Sequence, residues 1–174
     1  WDENSINAVE FAKAVTDAGA TALTVHGRTR KQQYSGKANW EEIGKVRQAV
    51  SVPVTANGDI WDAASALECA RVTGCDSLAM GRGALGNPWL FPEIKAAFEG
   101  TEWHKPPFED IMKTALRHGR EMIAWKGEKS GMLEMRKHLG WYVSGMRGAA
   151  QLRGKINQID DPNEVKDMLY AFNY

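Results

Sequence analysis

Residues 1–103 repeat one pattern of apolar and polar positions. A stretch with apolar residues at helical spacing is followed by a loop, a short run of small or β-branched apolar residues, and then a polar residue beside glycine. The clearest copy is Val52 to Asp59, where Val52, Val54 and Ala56 lead into Asn57-Gly58-Asp59. So apolar a run predicts a buried strand of a parallel sheet covered on both faces. Ala22–Val25 leads in the same way into His26-Gly27-Arg28, and Ser77–Met80 into Gly81-Arg82-Gly83. The intervening stretches read as helices. Ile6, Val9, Ala12 and Val15 form the first stripe, with Ser5 or Asn4 as cap and Gly19 at the end. Asn39, answered by Glu42, caps a second helix with Ile43, Val46 and Val50 inward. Asp62 caps a third, carrying Ala66, Leu67 and Ala70 and closing near Gly74. Asn87 and Pro88 start a fourth through Phe98, with Gly100 past its end.

Thr101 to Pro107 breaks this pattern, and the domain boundary is placed between Trp103 and His104. No strand pattern follows it. Helices are predicted over Phe108–Ile123 (Ile111, Ala115 and Met122 inward), Gly131–Met146 (Met132, Met135, Leu139, Tyr142 and Met146) and Ala149–Ile156. A last helix starts at Asp161-Pro162-Asn163-Glu164, with Val165, Met168, Leu169 and Phe172 inward. The expectation is an α/β unit over 1–103 and a small all-α bundle over 104–174.

Charge sharpens this division. The formal total is zero, but residues 1–103 hold ten Lys and Arg against thirteen Asp and Glu, and residues 104–174 hold twelve against nine. Between 126 and 155, seven basic residues, among them Arg136, Lys137 and Arg153, face only Glu128 and Glu134. Such a segment suits either a polyanion or a solvated helix face. Arg136 and Lys137 lie off the apolar stripe, so they are expected to face solvent or a partner. Cys69 and Cys75 are too few for a disulfide framework and read as reduced thiols of a cytoplasmic protein. No apolar run approaches the ~18 residues of a membrane span.

The chemistry sits at the three strand ends. Parallel strands deliver their C-terminal ends to one rim, where α/β proteins bind ligands. Glycine N–H groups beside Gly81 and Gly83 suit a phosphate, and Arg82 can pair with it; an ordinary strand–helix turn is the other reading. With Asn57-Gly58-Asp59 on the preceding strand, a phosphate-bearing cofactor is favoured. His26 is either a ligand contact or a packing histidine, and Asp59 either a cofactor contact or a turn residue. The long loop His26–Ala38 is basic and polar and reads as functional. No zinc spacing, P-loop or serine nucleophile motif is present. Three strands cannot close an eight-stranded barrel, so the chain is expected to be the C-terminal part of a longer protein, with an open edge at Ala22–Val25 that invites self-association.

Four segments carry a resemblance. Leu23-Thr24-Val25-His26-Gly27-Arg28-Thr29-Arg30, Tyr34-Ser35-Gly36-Lys37-Ala38-Asn39-Trp40, Val52 through Ile60, and Met80 through Trp89 resemble the tRNA-dihydrouridine synthases, in particular their bacterial B branch. Arg136-Lys137-His138, Trp141-Tyr142, Gly148-Ala149-Ala150 and Leu152-Arg153 resemble that family's helical domain. The resemblance implies the C-terminal part of an FMN-binding (βα)8 TIM barrel followed by a helical tRNA-binding domain. It implies NADPH-driven reduction of a tRNA uridine to dihydrouridine. It places Asn57, Gly58 and Asp59 on FMN, Gly81 and Arg82 on its phosphate, His26 beside the flavin, and Arg28 on the substrate side. Arg136, Lys137 and Arg153 fall to tRNA. The family's general-acid cysteine lies upstream of Trp1, so no catalytic residue is expected in this chain. Two other functions stay open on the residues alone: a non-catalytic RNA-binding fragment, and another FMN-dependent barrel oxidoreductase.

Overall fold

The computed structural model describes residues 1–159, 161 and 164. Three parallel strands form one sheet in the order β1-β2-β3: β1 (Leu23–His26), β2 (Val54–Asn57) and β3 (Ser77–Ala79). Helix α1 (Ala8–Asp17) precedes β1, α2 (Trp40–Ala49) links β1 to β2, and α3 (Ala63–Thr73) links β2 to β3. A short 3-10 turn, Arg82–Ala84, and α4 (Leu90–Glu99) follow. Then come α5 (Phe108–Lys126), α6 (Glu128–Tyr142) and α7 (Ala149–Ile156). The chain divides into two units. One holds Trp1–Ala84 and Leu90–Trp103; the other holds Leu85–Trp89 and the residues from His104 on. Of the helix expected from Asp161, only Asp161 and Glu164 fall among the described residues.

In the first unit the core joins β2 to its helices. Val54 and Ala56 are fully buried, as are Ile43 and Val46 of α2, Ala66 and Cys69 of α3, and Leu90 of α4. The expectation of a strand covered on both faces is corrected. Side chains alternate across a strand, and the second face carries Thr24, Thr55 and Ser77 in one register row and His26, Asn57 and Ala79 in the next. Those residues are exposed or half-buried. The face tolerates polar groups because they satisfy one another: the Thr55 and Ser77 hydroxyls are 2.6 Å apart.

Caps explain most helix ends. The Asp62 carboxylate accepts from the Ser65 N–H at 2.7 Å in a reciprocal capping box, and Gly74 closes α3 at φ 60°. Asn39 accepts from the Glu42 N–H at 3.0 Å, but the Glu42 carboxylate turns to Lys45 at 2.8 Å, so no return bond forms. Helix α1 starts later than expected, at Ala8. Ser5 and Asn4 are spent on a turn with Asp2: the Ser5 hydroxyl donates to the Asp2 carboxylate at 2.9 Å and the Asn4 N–H donates to it at 3.1 Å. Helix α4 likewise begins at Leu90 rather than Asn87.

In the second unit, Ile111, Met112 and Ala115 of α5 pack with Met132, Met135 and Leu139 of α6 and with Leu152 and Ile156 of α7. The break between α5 and α6 falls at Gly127, φ 81°, later than the expected end at Ile123. Gly131 permits the close α5–α6 crossing, because a Cβ there would lie 2.7 Å from Ile123 Cα and 2.9 Å from Met122 O. Gly131→Ala should therefore destabilise this unit by about 1–3 kcal/mol, the reverse of the gain of about 1 kcal/mol expected from helix propensity. A urea-unfolding midpoint at or above wild type would refute this. Among the described residues, no helix is long and apolar enough to cross a membrane.

Candidate functional site

Parallel register sets His26 beside Asn57 and Asn57 beside Ala79, so the three strands end together. Asn57 donates from its side-chain amide to the Ala79 carbonyl at 2.7 Å, tying β2 to β3 at the rim. The chain then takes two successive left-handed residues, Gly58 (φ 125°) and Asp59 (φ 56°). Gly58 is packed closely: a Cβ there would stand 2.8 Å from Ala38 Cβ and 3.5 Å from the His26 ring. Trp40 donates its indole N–H to the Gly58 carbonyl at 2.9 Å.

This turn aims the Asp59 carboxylate back across the rim. Arg28 donates through one Nη to both Asp59 oxygens, at 2.8 and 2.7 Å. Ala38 N–H donates to Asp59 Oδ2 at 2.7 Å, and Arg82 stands farther off, at 3.4 Å from Oδ1. Arg28 also donates to the carbonyls of Ser35 (3.2 Å) and Gly36 (2.9 Å), so it folds the long loop onto the strand ends. Burial pushes the Asp59 carboxyl up, but the Ala38 N–H, the Arg28 bond and charge, and the Arg82 charge together hold it below the usual range. His26 is pushed down by burial and by the Arg28 and Arg82 charges, against the pull of Asp59, which favours the neutral ring.

All six residues assigned to a cofactor, His26, Asn57, Gly58, Asp59, Gly81 and Arg82, line one cleft of about 190 Å³. A larger cleft of about 510 Å³ shares Tyr34, Asp59, Trp61 and Arg82 with it and adds Arg28, Lys37 and Trp40. Gly81 has nothing within 4 Å of where its Cβ would be, so backbone there is open to a ligand. Gly83 is closed, because a Cβ would collide with the Ile60 carbonyl oxygen. Arg28 Nη1 is buried with no partner among the described residues, although the side chain is only 4 % exposed.

Arg28 and Asp59 have partners within the chain that the sequence did not show. Arg28, expected on the substrate side, has its guanidinium buried against Asp59, and Asp59, expected on a cofactor, is bonded to Arg28 and Ala38. The residues that the sequence left unmarked are aromatic. Trp61 and Tyr34 both lie against the Arg82 guanidinium. Tyr34 was signalled by its place in a long basic loop and in a segment that carries the family resemblance, and Trp61 by nothing except its nearness to Asp59.

In the second unit, Lys137 and Arg153 are exposed, and Arg153 runs its methylenes along Gly140, where a Cβ would meet them at 3.2 and 3.4 Å. Arg136 is half-buried and donates to the Ile159 carbonyl at 3.1 and 2.8 Å, so its charge is partly spent within the chain. His118 and His138 stand edge to face, centroids 4.8 Å apart, with Tyr142 OH 3.3 Å from His118 Nδ1. Cys69 is fully buried and burial pushes its thiol up to about 11; burial raises Cys75 as well.

The family profile described as dihydrouridine synthase matches residues 1–173. A probable tRNA-dihydrouridine synthase 1 of Synechocystis is 44% identical over 170 residues, 97% of this chain and 48% of its own length. A probable tRNA-dihydrouridine synthase of Rickettsia bellii is 42% identical over 173 residues, 99% of this chain and 53% of its own. One of Mycobacterium leprae is 42% identical over 153 residues, 87% of this chain and 40% of its own. The chain thus spans about half the length of the curated relatives it matches. With its motifs at one rim and a match along nearly every residue, the chain belongs to the dihydrouridine synthase family.

Proposed function

We propose that this chain is the flavin-phosphate and RNA-contacting portion of a tRNA-dihydrouridine synthase, an FMN enzyme that reduces a tRNA uridine with NADPH. The observation that carries this reading is the convergence of His26, Asn57, Gly58, Asp59, Gly81 and Arg82 on one cleft. The open backbone at Gly81 and the half-exposed Arg82 fit a phosphate. The volume, about 190 Å³, fits that end of the cofactor and falls below the ~300 Å³ of a usual small-molecule pocket. Bound FMN would supply hydride transfer to the pyrimidine double bond. His26 would offer the flavin a ring nitrogen as donor or acceptor, and Asn57 and Gly58 would set the rim against which it lies. The target base would leave its stack to reach this rim.

The proton for the other pyrimidine carbon needs an acid that this chain does not offer from its cysteines. Cys69 lies in the core on the helix side of the sheet, and its raised thiol donates poorly at neutral pH. The 174-residue chain should therefore give no dihydrouridine when supplied with FMN, NADPH and unmodified tRNA, whereas a chain joined to a family segment bearing that cysteine should. Turnover by the 174 residues alone would overturn the division of labour.

Lys137 and Arg153 are the basic residues we assign to tRNA backbone, because both are exposed. Charge reversal at either should lower tRNA affinity and flatten its salt dependence by about one ion per residue. Arg136→Glu should act mainly on stability, through the lost bonds to Ile159. A gel-shift salt titration with unfolding curves on the same variants separates the two. Equal affinity for wild type and both reversals would remove this surface from the reading.

A further inference from the structure

Arg82 is held in a setting that its sequence motif does not announce. Its guanidinium carbon lies 4.4 Å from the Tyr34 ring centroid and 5.1 Å from that of Trp61. Tyr34 comes from the loop between β1 and α2; Trp61 follows the turn after β2. Both rings stay largely open to solvent otherwise, 69% and 46% exposed. Two large aromatic rings that converge on one cation, within the ~6 Å reach of a cation–π contact, restrict that cation.

The third neighbour is Asp59, and here the distances discriminate. Asp59 accepts from Arg28 at 2.7 and 2.8 Å and from Ala38 N–H at 2.7 Å, but from Arg82 only at 3.4 Å. Arg28 is therefore the standing partner of the carboxylate, and Arg82 a loosely held one. An anion can take Arg82 without leaving Asp59 bare. With Arg28, Arg82 and Lys37 against one carboxylate, the 510 Å³ cleft keeps a positive excess.

We propose that Tyr34 and Trp61 are positioning residues for anion binding at Arg82: the two rings restrict its guanidinium, while Arg28 occupies the carboxylate that would otherwise capture it. The inference rests on the reading of Arg82 as a phosphate contact. Because Tyr34 belongs to the long loop, anion occupancy and loop docking are thermodynamically linked, each strengthening the other. One cation–π contact at a partly exposed site corresponds to about a two- to fivefold change in affinity.

The test uses the whole 174-residue chain with two probes. Inorganic phosphate is titrated while the Arg82 Nε–H resonance is followed by NMR; FMN and riboflavin, which lacks the phosphate, are titrated by flavin fluorescence. Tyr34→Leu and Trp61→Leu should each weaken phosphate and FMN about two- to fivefold, leave riboflavin unchanged, and remove part of the ring-current shift of the Arg82 signal. Tyr34→Phe should restore wild-type values. If both leucine variants bind phosphate as wild type does, or lose riboflavin as much as FMN, positioning is overturned. If wild type binds phosphate at Arg82 but neither flavin, even when joined to the family segment that bears the cysteine, the flavin reading fails and the positioning of Arg82 stands. If Arg82→Ala leaves phosphate affinity unchanged, or wild type binds no phosphate, both fall.

Discussion

Asp59→Ala is expected to destabilise the strand-bearing unit by about 3–5 kcal/mol, because it leaves the Arg28 charge buried without its partner. The Arg28 side chain is only 4 % exposed and that of Asp59 16 %. Three chain segments lose their common anchor at once: the strand end at Arg28, the loop end at Ala38 and, less tightly, the turn at Arg82. Asp59 also sits at φ 56°, which alanine tolerates poorly and asparagine well. Asp59→Asn therefore isolates the charge from the backbone, and it should retain most of the loss. Removing the buried charge as well, Arg28→Met with Asp59→Asn, should recover part of the stability, since no uncompensated guanidinium remains and asparagine accepts the left-handed conformation. The pH dependence has a definite sign. The folded Asp59 carboxyl lies below its unfolded value of 3.8, so its contribution is present above that pH and is lost as pH falls through the lowered value. Urea midpoints measured from about pH 5 down to pH 2 should fall for wild type and less steeply for Asp59→Asn. Parallel curves for the two proteins would show that the carboxylate does not hold the loop.

Gly86→Ala is the corresponding change in the second unit, with an expected loss of about 2–5 kcal/mol from left-handed strain and overpacking together. Gly86 stands at φ 69°, and a Cβ there would collide with the Trp141 carbonyl carbon and lie 2.6 Å from the Tyr142 nitrogen. Those obstacles are backbone and cannot swing aside. The segment Leu85–Trp89 would come away from the end of α6, and the edge-to-face pair of Trp89 and Tyr142, centroids 6.4 Å apart, would part with it. Gly145→Ala supplies the contrast. It has a similar φ of 79° with nothing within 4 Å of its Cβ position, so only the conformational cost of about 1–2 kcal/mol remains. Unfolding midpoints and tryptophan fluorescence check both. Equal losses for the two variants would mean that the contact with Trp141 contributes nothing.

Much of the candidate site's geometry was legible in the residues because parallel βα units have few ways to fold. A strand of small and β-branched residues that stops at a polar residue and glycine predicts a rim, and the three rims met where the spacing required. Asp62, Gly74 and Gly19 were legible because caps depend on two or three neighbouring residues. Glu42 was misjudged for the converse reason: the Lys45 ammonium, one turn on, competes for its carboxylate more strongly than a backbone N–H does. Helix α6 began earlier than its apolar stripe suggested because Gly127 breaks the chain at once and Glu128 and Lys129 carry no apolar signal.

What the sequence by itself determined is local and periodic: which stretches are strands and helices, where they stop, and that three glycine-bearing ends share a rim. Those follow from side-chain alternation and backbone sterics, which act between near neighbours. Tertiary structure alone decided that Arg28 turns inward to Asp59, 31 residues away, that Tyr34 and Trp61 close on Arg82, that Arg136 donates to the Ile159 carbonyl, and that only one face of β2 is apolar. Partner choice among several cations and one carboxylate is settled by fractions of an ångström in where distant segments meet. Residue type sets what an arginine can bind, and the path of the loop sets what it does bind.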